Sequence, residues 1–210
     1  RDSRLPALKE ITMVDLSPFA NGEKKYIDIW NDDNLTIDDL RDATNESVDF
    51  LLGLISDLND EQIVFEPVDE EAKDPYAEDG EQEIAWNIGH LVAHVTSSSE
   101  EGAAFSSILA RGVEGMETRP RYETPWREID TTAKAIQRLE ESRRMRLAYL
   151  DTWPDEPDYD NARAGVSERF AEYFGVINAP AAFLMGLGHE HSHYEQFKDA
   201  VEQAKASVSA

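Results

Sequence analysis

Gly188-His189-Glu190-His191-Ser192-His193-Tyr194-Glu195-Gln196 carries three of the five histidines in the chain, and the other two, His90 and His94, stand together in an earlier segment. Each group contains a pair spaced four apart. On an α-helix such residues project from one face, because they lie only about 40° apart around the axis. Two imidazoles on one face can share a cation, but a stable site for zinc, nickel or iron usually takes three or more protein ligands. A second helix must then supply the remainder, so the stretch calls for two histidine-bearing helices facing each other. His191 points to roughly the opposite side from His189 and His193 and falls outside the ligand set. Between His90 and His94 the spacing alone does not choose.

The last helix is expected from about Asn178 to Ala204, with Pro180 in the first turn, where a missing N–H is tolerated. His90 and His94 belong to a helix read from about Gln82 to Ala110, with apolar residues on more than one face of its first half. An earlier helix follows Thr36 as its cap, because Ile37, Leu40, Thr44, Val48, Leu51, Ile55 and Leu58 recur at steps of three and four. Another runs from about Asp130 to Trp153, where Pro154 stops it. The expected fold is all-α: an antiparallel four-helix bundle over residues 34–208 with long connecting loops, and residues 1–33 as an irregular arm packed on it. Sites in such bundles are built from inward-facing side chains of facing helices.

Two connections stand out. From Asp57 to Glu83 the charge is almost wholly acidic, and the stretch is broken by Pro67, Pro75 and Gly80 and reads as a solvated loop. Gly112 to Trp126 is long enough to cover one end of a bundle. In the third long helix, Arg143, Arg144 and Arg146 among Glu140 and Glu141 read as exposed ion pairs, with anchoring of a substrate carboxylate as the alternative.

Composition narrows the function classes. Asp and Glu number 44 against 20 Lys and Arg, a formal charge of -24, so nucleic-acid phosphate would be repelled. No apolar run is long enough for a membrane span, and a cytoplasmic location is the default expectation. The absence of cysteine excludes thiolate ligands and a cysteine nucleophile. His189-Glu190-His191-Ser192-His193 satisfies the H-E-x-x-H pattern in which the glutamate is a general base. A protease of that kind needs a third ligand downstream, where no further histidine follows and Glu195 and Glu202 are the candidates, so this reading is subordinate.

Trp86-Asn87-Ile88-Gly89-His90-Leu91, the arginine-containing third helix and His189-x-x-x-His193-x-x-Gln196 together resemble the DinB/YfiT-like metal-binding four-helix bundles over about residues 36–205. The first and last pieces are most similar to the N-terminal bundle domain of ergothioneine-synthesis sulfoxide synthases. There a W-x-x-x-H motif and an H-E-x-x-H-x-E motif supply three histidine ligands to iron, and Trp86, His90, His189, Glu190, His193 and Glu195 match. The resemblance implies His90, His189 and His193 as ligands of a divalent transition metal, zinc, nickel or iron. Other members resemble this chain in a register with the ligand eight residues after the tryptophan, which selects His94 instead. The second catalytic domain of the sulfoxide synthases has no counterpart up to residue 210, so their activity is not expected.

The resemblance implies a metal-dependent enzyme, of thiol transferase or hydrolase type, that activates a low-molecular-weight thiol or water, with Glu190 as the candidate catalytic carboxylate. The alternative is a non-catalytic metal-binding or stress-response bundle. The expected partners are a small-molecule substrate and a second copy of the chain in a homodimer, with neither nucleic acid nor membrane.

The acid excess reads first as that of an ordinary acidic cytosolic protein, with adaptation to high salt as the alternative, and that alternative generates a first prediction. The Debye length falls from roughly 10 Å at 0.1 M to about 3 Å at 1 M salt, which screens repulsion between exposed carboxylates. The melting temperature should therefore climb as sodium chloride is raised from about 0.1 M to about 2 M. A flat profile in thermal unfolding would return the composition to that of an ordinary acidic protein.

Overall fold

The computed structural model of the chain describes residues 14–70, 72–73, 80–113 and 125–207. Among them the order is α1 (Ser17–Ala20), α2 (Tyr26–Asp32), α3 (Ile37–Ile55), α4 (Asp60–Ile63), α5 (Ile88–Ala110), a 3-10 turn at Trp126–Glu128, α6 (Thr132–Asp151), α7 (Glu168–Phe174), α8 (Ala179–Ser192) and α9 (Tyr194–Ser207). The only extended pairing among these residues is a single bridge between Ala162 and Asn178. No described helix is long and apolar enough to cross a membrane.

Local chemistry sets the ends of the long helices. Thr36 accepts a hydrogen bond from the Asp39 amide while the Asp39 carboxylate accepts one from the Thr36 amide, a reciprocal cap that fixes the start of α3. Asn87 accepts from the His90 amide at 2.9 Å, so α5 begins at Ile88 rather than near Gln82, and Trp86 lies just outside the helix. Thr131 caps α6 and Asn178 caps α8 in the same way. The expected last helix is interrupted at His193, whose amide bonds back to the Glu190 carbonyl three residues earlier, and resumes as α9.

The part of the arm described here is more regular than its sequence suggests. Asp28 accepts from the Lys25 amide at 2.9 Å and closes the first turn of α2. Tyr26, Ile29 and Trp30 are then buried against the bundle. Of the two loops singled out in the sequence, residues 71 and 74–79 of the acidic one, and 114–124 of the other, lie outside the described residues. What is described of the acidic loop includes α4, capped by Asn59.

The four long units form a ring in the order α3, α6, α5, α8/α9, as their contacts show. His94 meets His189 while Gly102, further along α5, meets Ala182, so α5 and α8 run antiparallel. Arg41 reaches Asp151 while Asp49 reaches Arg143, so α3 and α6 are antiparallel too. Thr96 pairs with Arg138 and Ser107 with Thr152, which makes the neighbours α5 and α6 parallel. Parallel neighbours need a crossover along the bundle, and the 23 residues of α5 span roughly 35 Å. The long connection between α5 and α6 supplies that reach.

Charges lie inside this ring. Arg146 is 1% exposed and Glu190 0%, and they pair at 3.0 Å across the diagonal from α6 to α8. Ser99 of α5 donates to the same Glu190 oxygen at 2.7 Å. Arg138 pairs with the buried Glu100 of α5, and burial pulls its guanidinium pKa down. The reading of the third-helix arginines as exposed ion pairs is thus corrected for Arg146, which is core. Arg143 reaches Asp49 and Glu140 at the rim, and Arg144 alone is exposed. A charge read from sequence defaults to the surface, because its buried partner is distant in the chain.

Removing one member of the diagonal pair strands the other charge in the core, which typically costs about 3–5 kcal/mol. Arg146→Met should lower the unfolding free energy in urea by about that amount. The double change Arg146→Met with Glu190→Leu should recover most of it, since Nε and Nη2 of Arg146 and Oε1 of Glu190 have no hydrogen-bond partner in the native pair.

Candidate metal centre

The site lies where α5 and the α8/α9 junction face each other. A side chain at Gly102 would bring its Cβ within 2.8 Å of the Ala182 carbonyl oxygen, and one at Gly186 would sit 3.2 Å from Ser99 Cα, so these helices are in backbone contact. That close approach, two turns from the histidines, brings the side chains at their facing ends together.

His94, His189 and His193 converge, each offering one ring nitrogen, with the three nitrogens within 4.8 Å of one another. Nε2 of His94 and Nε2 of His189 lie 2.8 Å apart. His193 Nδ1 lies 2.9 Å from Gln196 Oε1, and since the amide oxygen can only accept, Nδ1 carries the proton. Its Nε2 lone pair is then directed away from Gln196, the arrangement that orients metal-bound imidazoles. Burial pushes the His193 pKa below its ordinary value, outweighing the Gln196 bond, so the ring is neutral at neutral pH. Among the described residues no carboxylate joins the group. A three-imidazole set fits a borderline divalent cation and leaves coordination positions for other ligands.

Of the residues singled out in the sequence, the structure brings His189 and His193 together with His94. His90 is placed elsewhere: its ring stacks on Trp126 at a centroid distance of 4.7 Å and an interplanar angle of 2°, with Trp86 on it at 4.6 Å. Trp86 also lies 4.5 Å from the His94 ring and 5.7 Å from His193, so it covers the triad on this side. Arg127 in turn lies over Trp126 at 4.1 Å. Glu190 sits in the core with Arg146 and Ser99, outside the triad. Glu195 is on the surface with Lys198. His191 sits apart from the triad beside Tyr194, and burial lowers its pKa.

Two contributors were not legible. Trp126 comes from the far end of the α5 to α6 connection, where nothing in its neighbours marks it as the partner of His90. The other is a cavity of about 1090 Å³ whose wall includes His189 and is built in part by residues from Val14 to Ala20, Tyr26 and the rings of α7. Tyr26 is held there by contact with α8: a Cβ at position 188 would fall 2.2 Å from its hydroxyl, so only Gly188 fits. The aromatic spacing of α7 was the available signal, but it does not say which way the helix turns.

The geometry predicts the outcome of a histidine scan, read as zinc content of purified protein. His94→Ala and His193→Ala should each abolish stoichiometric binding, whereas His191→Ala and His90→Ala should retain close to one equivalent. Gln196→Ala should weaken zinc affinity by about tenfold through loss of ring orientation. Retention of metal by His94→Ala with loss in His90→Ala would move the ligand one turn along α5.

The sequence model of the DinB superfamily matches residues 43–197, a span that runs from α3 into α9 and includes all three histidines of the triad. No curated protein and no solved structure matches the chain.

Proposed function

This chain belongs to the DinB superfamily, and we propose that it is a metal-dependent enzyme in which His94, His189 and His193 hold a zinc, nickel or iron ion for transferase or hydrolase chemistry with a low-molecular-weight thiol or water. The observation that carries this reading is the convergence of three imidazole nitrogens with no fourth protein ligand among the described residues, one of the three, His189, also lining a large cavity. Structural zinc sites are closed by four protein ligands, and catalytic ones keep a position open. A divalent ion so bound lowers the pKa of a coordinated thiol or water and supplies a nucleophile near neutral pH.

The protein's own groups contribute position and environment. Gln196 fixes the His193 tautomer, and Trp86 lies against the rings of His94 and His193 and covers them on one side. Glu190 is proposed as a positioning residue: tied to Arg146 and Ser99, it anchors the turn that presents His189 and does not move a proton. The absence of cysteine from the chain means that any thiol must come from outside.

Cobalt substitution tests the reading. Addition of a thiol such as 2-mercaptoethanol to the cobalt-loaded protein should produce a thiolate-to-metal charge-transfer band, absent from His193→Ala. A cobalt spectrum that neither thiol nor azide perturbs would mean a saturated site, and a structural role for the metal.

A further inference from the structure

Arg163 lines the same cavity as His189, and its surroundings are unusual for this protein. Its guanidinium stands 5.0 Å from the ring centroid of Phe105 and 5.4 Å from that of Phe170. Its backbone is pinned, since the amide donates to the Ile177 carbonyl at 2.8 Å and the preceding residue forms the bridge to Asn178 at the start of α8. With 44 carboxylates against 20 basic side chains, an arginine here has every statistical chance of an ion pair. Arg138, Arg143 and Arg146 all have one, while the guanidinium of Arg163 has no carboxylate within ion-pair distance among the described residues. Among the described residues it is also the one Lys or Arg in the cavity wall. A planar cation held by two rings, with its N–H fork unused, is a preformed receptor for a carboxylate.

We infer that Arg163 anchors the carboxylate of an acidic, partly apolar small-molecule substrate whose reacting end lies toward His189. The volume, about 1090 Å³, is enough to enclose a ligand of drug size. Phe19, Phe170, Tyr173 and Phe174 supply the apolar wall for its body. Asp15 lies in the same wall and repels a carboxylate from its own part of the cavity, away from which Arg163 stands as the attractive position. The orientation toward His189 rests on the reading of the triad as an open metal site, whereas the anchor itself does not.

The test uses three probes of one shape, 4-phenylbutyrate, 4-phenylbutyramide and 4-phenylbutylamine, titrated calorimetrically into wild-type protein with and without zinc. The carboxylate should bind at least about tenfold more tightly than the amide, since a charge-assisted bidentate pair is roughly twice as strong as a neutral hydrogen bond. Arg163→Gln should erase that preference, and Arg163→Lys, which keeps the charge but not the fork, should retain part of it. Circular dichroism of both variants checks that they fold. Equal binding of carboxylate and amide, tightest binding of the amine, or no binding of the carboxylate at millimolar concentration would each overturn the anchor. None of these results depends on metal or thiol, so a failed anchor leaves the cobalt result standing, and a failed cobalt result leaves the anchor to be judged on its own.

Discussion

Gly102 and Gly186 let α5 and α8 touch backbone to backbone, and the rest of the molecule is arranged around that contact. Side chains of ordinary size would push the helices apart by their own thickness, and His94 would no longer meet His189. The small residues of the second half of α5, Ser97, Ser99, Gly102, Ala103 and Ala104, are buried for the same reason. They trade hydrophobic area for proximity. The lost burial is offset elsewhere by two core clusters, one around Leu51, Leu91 and Phe197 and the other around Leu40, Phe183 and Trp30.

Close approach also explains why charges are tolerated in the interior. Arg146 reaches across the bundle to Glu190, whose other partner, Ser99, stands where α5 and α8 are in close contact. The pair contributes little net stability if replaced by well-packed apolar groups, but it specifies one geometry, because only one rotation of α6 and α8 satisfies both partners. Tyr194 adds a second tie: its hydroxyl meets Ser47 of α3 at 2.7 Å immediately after His193, and burial raises its pKa. The turn bearing His189 and His193 is thus gripped from three directions.

The cavity and the triad are built by different parts of the chain. The triad belongs to the bundle, within the span that matches the family. Much of the cavity wall comes from Val14–Ala20, Tyr26 and α7, and the first two precede that span. The bundle thus supplies the three histidines, and the segments that cover it supply much of the cavity wall. Arg163, in the connection before α8, belongs to the covering.

Much of the bundle was legible in the sequence because helical period and capping are local. Thr36, Thr131 and Asn178 act as caps where the pattern places helix starts, and the four-residue spacing puts His189 and His193 on one face whatever surrounds them. The sequence likewise sufficed to separate His191 from that pair. It could not choose between His90 and His94, which lie only about 40° apart on the helix. That choice depends on the rotation of α5 against α8, set by Gly102 and Gly186, and on Trp126, which arrives from another connection to stack on His90. Nor could it place Arg146 and Glu190 in the core, because a charge is buried only where its partner waits and that partner is 44 residues away. Tertiary structure decided these points for one physical reason: a side chain's direction is set by its helix, but what it meets is set by the helix opposite.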